Sequence, residues 1–154
     1  MIKLLRVDSR LLHGQIAVSW VNYVGTDCIL VAGDNIDPMV TTTMKLSKPA
    51  GVKLVIKTIN DSIAAINEGK TDPYRLFILV ENVTDAYRLA KACPAIKSIN
   101  VGRTKKYDGM ESLNNETHVT FEQKKMLKEL LESGYNIVLQ MIPTSKAIPL
   151  KQVL

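Results

Sequence analysis

Short apolar runs alternate along the chain with segments in which apolar residues recur every three or four positions. The runs are typical of buried strands, whereas the wider spacing is typical of amphipathic helices. The runs predict strands over residues 2–7, 28–32, 52–56, 75–80, 96–101 and 136–142. The spaced segments predict helices over residues 14–24, 38–48, 61–68, 84–93 and 120–134.

Capping residues support several of these helix boundaries. Gly25 follows the first helix, where glycine favours a C-terminal stop, and Asp37 before Pro38 is a typical helix start. Thr120 and Gln123 have the spacing of a capping box at the last helix.

Strand and helix alternate in a way that favours parallel strands joined by crossover helices. We predict an α/β fold: one doubly wound, mostly parallel open sheet of about six or seven strands, with helices on both faces. Residues 103–117 are polar and contain glycine, so a long loop or irregular hairpin is expected there. Residues 143–154 carry no pattern that we can assign.

The composition is that of a globular protein with a single domain over residues 1–154. Apolar residues make up 46% and charged residues 23% of the 154 residues, which excludes disordered and fibrous classes. No apolar stretch approaches the roughly 20 residues of a membrane-spanning helix, and Arg6 and Asp8 interrupt any signal-peptide core. We expect a cytoplasmic protein in which Cys28 and Cys93 are reduced and buried.

The formal net charge of +5 is compatible with nucleic acid, an acidic protein surface or a phosphorylated partner. Aromatic residues are only 5% of the chain, and the basic residues are scattered. A stacking platform with a basic stripe is therefore missing, so we expect no binding to nucleic acid.

Candidate chemistry concentrates between the first predicted strand and the first predicted helix. His13 lies there with Arg10 three residues before it, Asp8 five before it and Gly14 immediately after it. Open α/β sheets bind ligands at the carboxyl ends of their strands, and a histidine at such a place can be a nucleophile.

This segment has the groups that a phosphorylated histidine needs. An unperturbed imidazole is mostly neutral at cytoplasmic pH, so His13 can attack a phosphoryl group without further activation. Arg10 can bind the resulting dianion, the amides of Gly14 and Gln15 belong to an anion-binding helix N-terminus, and Ser9 can donate its hydroxyl.

The segment Val7-Asp-Ser-Arg-Leu-Leu-His-Gly-Gln15 resembles the active-site signature of the mannose/fructose/sorbose-class IIB subunits of bacterial sugar phosphotransferase systems. The resemblance covers nearly the whole chain. It continues through Trp20, Met44-x-x-Ser-Lys-Pro49-x-Gly51-Val-Lys53, Ile99-Asn-Val-Gly102 and Gln140-x-x-Pro143. Many relatives have a second acid where this chain has Ser9 and a small residue where it has Arg103.

The resemblance implies a protein-N(pi)-phosphohistidine–sugar phosphotransferase without a cofactor. His13 would accept phosphate from a phosphohistidine on a IIA protein or domain, with Arg10 as the phosphate clamp and Asp8 as an orienting acid. The phosphate would pass to a sugar during transport by IIC and IID membrane subunits, with which the protein would associate peripherally. The resemblance is compatible with a homodimer and leaves the sugar open.

Parts of the sequence are compatible with two other functions. A histidine-dependent phosphatase or mutase needs Arg-His-Gly and a second histidine, but Leu12 stands where that arginine is required. His118 could be the second histidine, although its neighbours predict a surface or cap-adjacent residue. A nucleotide-binding or regulatory module of flavodoxin-like shape would need a glycine-rich phosphate loop, which the sequence lacks.

Several further residues have a structural and a functional interpretation. Trp20 has the helical spacing of a core residue, so we expect it to pack. Three basic residues follow a strand end, where they are either solvated or candidate partner contacts: Arg103, Lys105 and Lys106. Asp34 and Glu81 follow other predicted strands and could rim the same crevice, but no metal-ligand spacing is visible.

Overall fold

Nine strands and five α-helices make up the fold in a computed structural model that describes residues 1–154. The strands are β1 (Ile2–Val7), β2 (Cys28–Ala32), β3 (Lys53–Lys57), β4 (Leu76–Val80), β5 (Ser98–Val101), β6 (Glu111–Ser112), β7 (His118–Val119), β8 (Asn136–Leu139) and β9 (Ile148–Pro149). The helices are α1 (Gly14–Val24), α2 (Pro38–Ser47), α3 (Ile59–Asn67), α4 (Val83–Ala92) and α5 (Phe121–Glu132). A short 3-10 helix covers Leu150–Gln152.

Seven strands form one sheet in the order β3-β2-β4-β1-β5-β8-β9. Every neighbouring pair is parallel except β8 and β9, which are antiparallel at one edge. All five residues of β2 and of β4 are buried, as expected for parallel strands that helices cover on both sides. The predicted doubly wound, mostly parallel sheet is confirmed.

Alternate residues of the central strands enter two different hydrophobic clusters, one on each face of the sheet. In β4, Ile78 belongs to the larger cluster and its neighbour Phe77 to the smaller one. Helices α3, α4 and α5 contribute to the larger cluster, and α1 and α2 contribute to the smaller one. The helices are therefore distributed over both faces.

The central strand β1 lies at the point where the chain changes faces. From β1 the chain enters α1 on one face, whereas from its neighbours β4 and β5 it continues to α4 and α5 on the other face. Loops that diverge in this way leave a crevice at the carboxyl ends of the strands. The fold therefore opens a crevice directly beside residues 8–13.

Local signals predicted the helix ends well. Gly25 has the left-handed backbone of a C-terminal cap, with φ of 69°. The Asp37 carboxylate accepts a hydrogen bond from the Met39 amide, and both bonds of the capping box between Thr120 and Gln123 are present.

The last strand and the C-terminal segment differ from the expectation. The strand predicted to reach residue 142 ends at Leu139, because the carbonyls of Gln140 and Met141 turn to accept hydrogen bonds from Arg6. The unassigned segment 143–154 turns back to form β9 and the 3-10 helix, which buries Leu150. The segment 103–117, expected to be a long loop or an irregular hairpin, includes β6, which pairs with β7 just beyond the segment.

The two cysteines are buried and unpaired, as expected. Burial raises the pKa of both thiols, so neither is a reactive thiolate at neutral pH. None of the helices has the length and apolar character that a bilayer-spanning segment requires.

Candidate active site

His13 is an exposed residue at the N-cap of α1, at the carboxyl end of β1. Its backbone is extended, with φ of −140° and ψ of 129°, and its side chain makes no capping hydrogen bond. The imidazole is therefore free to meet another molecule.

The loop before His13 is anchored by two leucines. Leu11 and Leu12 are buried in the cluster beneath α1 and α2, so the chain is fixed immediately before the histidine. Leu11 has a φ of 53°, which is uncommon for a residue with a side chain. Gly14 also has a left-handed backbone, with φ of 75°, and glycine adopts it without steric cost.

Asp8 organises the turn of this loop. Its Oδ1 accepts a hydrogen bond of 3.0 Å from the Arg10 amide, and its carbonyl accepts one of 3.0 Å from the Leu11 amide. It makes no hydrogen bond to His13. Asp8 therefore orients the backbone on which His13 stands, while the imidazole itself remains free.

Arg6 is a buried residue of β1 that sequence reasoning did not assign to the site. Its Nη1 donates to the Asn100 side chain and to the Gln140 carbonyl at 2.8 Å. Its Nη2 donates to Asp8 Oδ2 at 3.3 Å and to the Met141 carbonyl at 3.0 Å. Its polar partners thus come from β5 and from the segment after β8, in addition to Asp8.

Trp20 of α1 completes the surroundings of Arg6. The indole ring lies 4.3 Å from the Arg6 guanidinium carbon, and its Nε1 donates to the Met141 carbonyl at 3.0 Å. Trp20 is buried and packs in the core as expected, and it also joins α1 to the segment after β8.

Burial shifts the pKa of Arg6 and that of Asp8 in opposite directions. It lowers the pKa of Arg6 to about 10 against the opposing effect of Asp8, so the guanidinium stays charged at neutral pH. It raises the pKa of Asp8, because desolvation of the carboxylate exceeds the stabilisation that Arg6 provides.

Two adjoining clefts share His13 and Arg10. The smaller cleft, of about 130 Å³, is lined by Asp8, Arg10, His13, Ile16, Ala17, Arg103, Glu116 and Met141. The larger, of about 680 Å³, is lined by Ser9, Arg10, His13, Gly14, Asn35, Ile36, Asp37, Met39, Val40, Thr43, Glu81 and Lys105. The structure thus brings Asp8, Ser9, Arg10 and Gly14 together around His13, whereas exposed Gln15 lines neither cleft.

The three basic candidates for partner contacts differ in their surroundings. Arg103 lines the smaller cleft, but its Nε donates to Glu116 at 2.9 Å, so its charge is partly neutralised. Lys105 is exposed, has no ion-pair partner and lines the larger cleft. Lys106 is exposed and lines neither cleft.

The two acids expected at the rim also separate. Glu81 lines the larger cleft. Asp34 does not, because its carboxylate turns to Arg88 at 2.8 Å and to the Ile59 amide at 3.0 Å. No group of three or more His, Cys, Asp or Glu side chains is arranged to hold a metal ion.

His118 is buried rather than at the surface, and it lies shortly before Thr120, the N-cap of α5, so the cap-adjacent position is the one that the structure shows. It lies in β7, where its backbone exchanges hydrogen bonds with the Thr104 hydroxyl and its Nδ1 shares one of 2.8 Å with Ser112 Oγ. Its ring lines a separate cavity of about 310 Å³. The two histidines therefore do not share a cleft, although Glu81 and Lys105 each border both the larger His13 cleft and the His118 cavity.

The family model described as PTS system sorbose subfamily IIB component matches residues 2–154. The chain belongs to this family. It is a phosphotransferase-system IIB component of the sorbose/mannose class, a phosphoryl carrier in sugar transport. The resemblance drawn from residues 7–15 is thereby confirmed.

Individual relatives agree with this assignment. A probable phosphotransferase enzyme IIB component of Streptococcus pyogenes is 36% identical over 110 residues, which cover 70% of this chain and 68% of that protein. The N-acetylgalactosamine-specific phosphotransferase enzyme IIB component 2 of Escherichia coli is 27% identical over 99% of this chain and 98% of its own length. The mannose-specific EIIAB component of Escherichia coli is also 27% identical, but this chain covers only 48% of it.

Solved structures share the fold. The IIBSor domain of the sorbose permease from Klebsiella pneumoniae superposes with a TM-score of 0.90 at 21% identity, over 96% of this chain and 92% of that one. A likeness at this identity establishes the fold alone. The mostly parallel sheet is therefore the common architecture of these IIB components.

Proposed function

We propose that His13 accepts a phosphoryl group from a phosphohistidine of a IIA partner and passes it to a sugar that IIC and IID membrane subunits transport. The observation that carries this proposal is the free imidazole of His13, exposed on an anchored loop and sharing two clefts with Arg10. A nucleophile needs this combination of access and fixed position.

The transfer between two histidines balances without a net proton. The unprotonated ring nitrogen of His13 attacks phosphorus, and the N–P bond of the donor breaks as the new N–P bond forms. Each ring keeps the N–H on its other nitrogen, and the donor ring leaves with the bonding electron pair. In the second transfer a sugar hydroxyl oxygen attacks phosphorus, the N–P bond breaks with its electron pair returning to His13, and the hydroxyl proton is released to water.

Arg10 is the best-placed cation for the phosphoryl oxygens. It is exposed, and its guanidinium forms no ion pair or side-chain hydrogen bond. A guanidinium can donate two parallel hydrogen bonds to phosphoryl oxygens. Lys105 offers a second unpaired cation at the same cleft.

The N-terminus of α1 supplies further donors beside His13. The first amides of a helix lack intrahelical partners and favour a bound anion. Gly14 and Gln15 hold these positions, and no carboxylate occupies the first turn of α1. Ser9 lines the larger cleft, where its hydroxyl can donate to a phosphoryl oxygen.

The phosphate donor is inferred from a relative. The Escherichia coli EIIAB component carries both an A and a B designation in its name, and this chain covers 48% of it. We infer that a IIA protein or domain fills the corresponding role here. Relatives are named for N-acetylgalactosamine, fructose, mannose and sorbose, so the proposal specifies a sugar without choosing one.

The test is transfer of labelled phosphate from a phosphorylated IIA partner. Wild-type protein should take up label in an acid-labile, alkali-stable bond, as expected for phosphorus on an imidazole nitrogen. His13→Ala should take up none and remain folded, because His13 is exposed and makes no side-chain hydrogen bond. Retention of label by His13→Ala would overturn the assignment.

His118→Ala is the matched histidine control. His118 lines a different cavity, so its removal should leave transfer unchanged in protein that circular dichroism shows to be folded. A loss equal to that of His13→Ala, together with rapid hydrolysis of the wild-type phosphoprotein, would favour the phosphatase interpretation.

A further inference from the structure

Arg6 holds the loop of His13 from below through a single carboxylate. Its Nη2 contacts Asp8 Oδ2, and the other oxygen of the same carboxylate accepts the Arg10 amide. We propose that Arg6 is a positioning residue for phosphoryl transfer, acting on His13 through Asp8. This inference rests on the proposed function of His13.

The contacts of Arg6 exclude a direct role on phosphate. Each of its two terminal nitrogens already makes two contacts with oxygen, and Trp20 lies over the guanidinium. The side chain is 1% exposed. A group that is buried and saturated in this way cannot bind a phosphoryl group in the cleft, which distinguishes Arg6 from Arg10.

The ion pair with Asp8 is better explained by geometry than by stability. Desolvation of the two charges offsets much of their attraction. Burial also shifts the pKa of each partner in the direction that favours its neutral form. What the pair provides is a fixed carboxylate. That carboxylate shapes the turn in which Leu11 has its unusual backbone and from which Arg10 and His13 project.

Loss of Arg6 should therefore slow the chemical step more than it weakens docking. Displacement of a reacting group by about 1 Å can slow a reaction by about 10²-fold. We expect Arg6→Ala to lower the kcat of phosphoryl transfer from the IIA partner to His13 by about that factor. The KM for the phosphorylated partner should change much less. Arg6→Lys, which keeps a charge for Asp8 but cannot reach all four oxygens, should be intermediate.

Gly102→Ala tests the same inference with every polar group still present. Gly102 immediately follows β5, the strand beside β1, and a Cβ there would lie 2.7 Å from Arg6 Cζ. Its backbone is not left-handed, so the added methyl acts by displacing the guanidinium. We expect a fall in kcat in the same direction as for Arg6→Ala.

Two comparisons separate positioning from general destabilisation. Leu130→Ala opens the core under α5, on the face of the sheet opposite to Leu11 and Leu12, and should reduce stability while folded protein transfers at the wild-type rate. Millimolar guanidinium chloride should restore part of the transfer rate of Arg6→Ala. Sodium chloride at equal ionic strength should not.

The outcomes decide the inference independently of the proposed function. Wild-type kcat in folded Arg6→Ala and Gly102→Ala, or a loss that Leu130→Ala reproduces, would overturn it. If His13 accepts no phosphate at all, the proposed function fails. Hydrogen exchange of the Arg10 amide then tests separately whether Arg6 positions the loop. The Arg10 amide should exchange faster in Arg6→Ala than in wild type, and an unchanged rate would overturn the inference.

Discussion

Two arginines on either side of Asp8 have opposite surroundings and therefore different capabilities. Arg6 is buried and saturated with oxygen partners, whereas Arg10 is exposed with its guanidinium unpaired. Asp8 bonds to the side chain of the first and to the backbone amide of the second. Arg6 therefore organises the loop, whereas Arg10 faces solvent with its guanidinium available to bind an anion.

We predict that the geometry of the guanidinium at Arg10 matters as well as its charge. Arg10→Lys should transfer phosphate slowly but measurably, because lysine offers a point charge where arginine offers a planar fork. Arg10→Ala should be slower still, by about 10²-fold if about 3 kcal/mol of transition-state stabilisation is lost. Quench-flow transfer rates measure the order, and circular dichroism checks the fold of each variant.

Arg75→Ala provides the matched control for charge. Arg75 immediately precedes β4, so it lies at the amino ends of the parallel strands, opposite the cleft, where it pairs with Asp27 at 3.4 Å. The Arg75→Ala substitution removes the same charge without altering the cleft, so it should leave phosphoryl transfer unchanged. If Arg10→Ala transfers as fast as wild type, Arg10 is a loop residue and the phosphate is held by Ser9 and the α1 N-terminus.

At the scale of elements, the parts that sequence predicts well are those whose cause is local. The helix over 14–24 was predicted to the residue, because its apolar spacing and Gly25 lie within the segment itself. The grouping of Asp8, Arg10 and Gly14 with His13 was predicted in the same way, since neighbours in sequence are here also neighbours in space. The alternation of strand and helix also predicted that these residues lie at the carboxyl end of β1.

The parts that sequence missed depend on partners far along the chain. Arg6 is defined by Asn100 and Gln140, which lie 94 and 134 positions away. His118 is buried because Thr104 and Ser112 reach it through the hairpin, which no local pattern around it indicates. Strand β9 is only two residues long and pairs by main-chain bonds, so it leaves no apolar period to detect.

Asp34 illustrates how one side chain joins elements, and it predicts a pH dependence. It follows β2, accepts the first amide of α3 and pairs with Arg88 of α4. The hydrogen bond from Arg88, and then the Ile59 amide, lower the pKa of Asp34. A depressed folded-state pKa stabilises the fold above the unfolded pKa, and this contribution is lost as pH falls through the folded value.

We therefore expect Asp34→Asn to lower the urea midpoint at pH 7, with the difference from wild type shrinking below about pH 4. The control is the same Asp34→Asn substitution made in protein that already carries Arg88→Ala. Without Arg88, the Asp34 carboxylate lies beside Asp85, whose pKa is raised by burial and also by Asp34, so Asp34→Asn should no longer destabilise. A difference that is constant with pH would show that the ion pair contributes nothing.

On the scale of the whole molecule, the sheet topology and the net charge act at the same place. The divergence of the chain at β1 opens the crevice, and Arg10 and Lys105 are unpaired cations beside it. The formal net charge of +5 adds a weaker, longer-range attraction for an acidic or phosphorylated surface. The partner is expected to meet this face with its phosphohistidine directed at His13.

Association with the phosphorylated IIA partner should weaken as salt rises from about 50 to about 500 mM, because mobile ions screen charges across a partly solvated interface. Two neighbouring lysines allow a more specific form of this prediction. Lys105 lines the larger His13 cleft without an ion-pair partner, whereas Lys106 lines neither His13 cleft. Lys105→Gln should reduce the association rate and its salt dependence, and Lys106→Gln, with the same change in net charge, should do so less. Stopped-flow association rates measure both. Equal effects of the two substitutions would assign the attraction to net charge, and binding insensitive to salt would contradict the basic interface altogether.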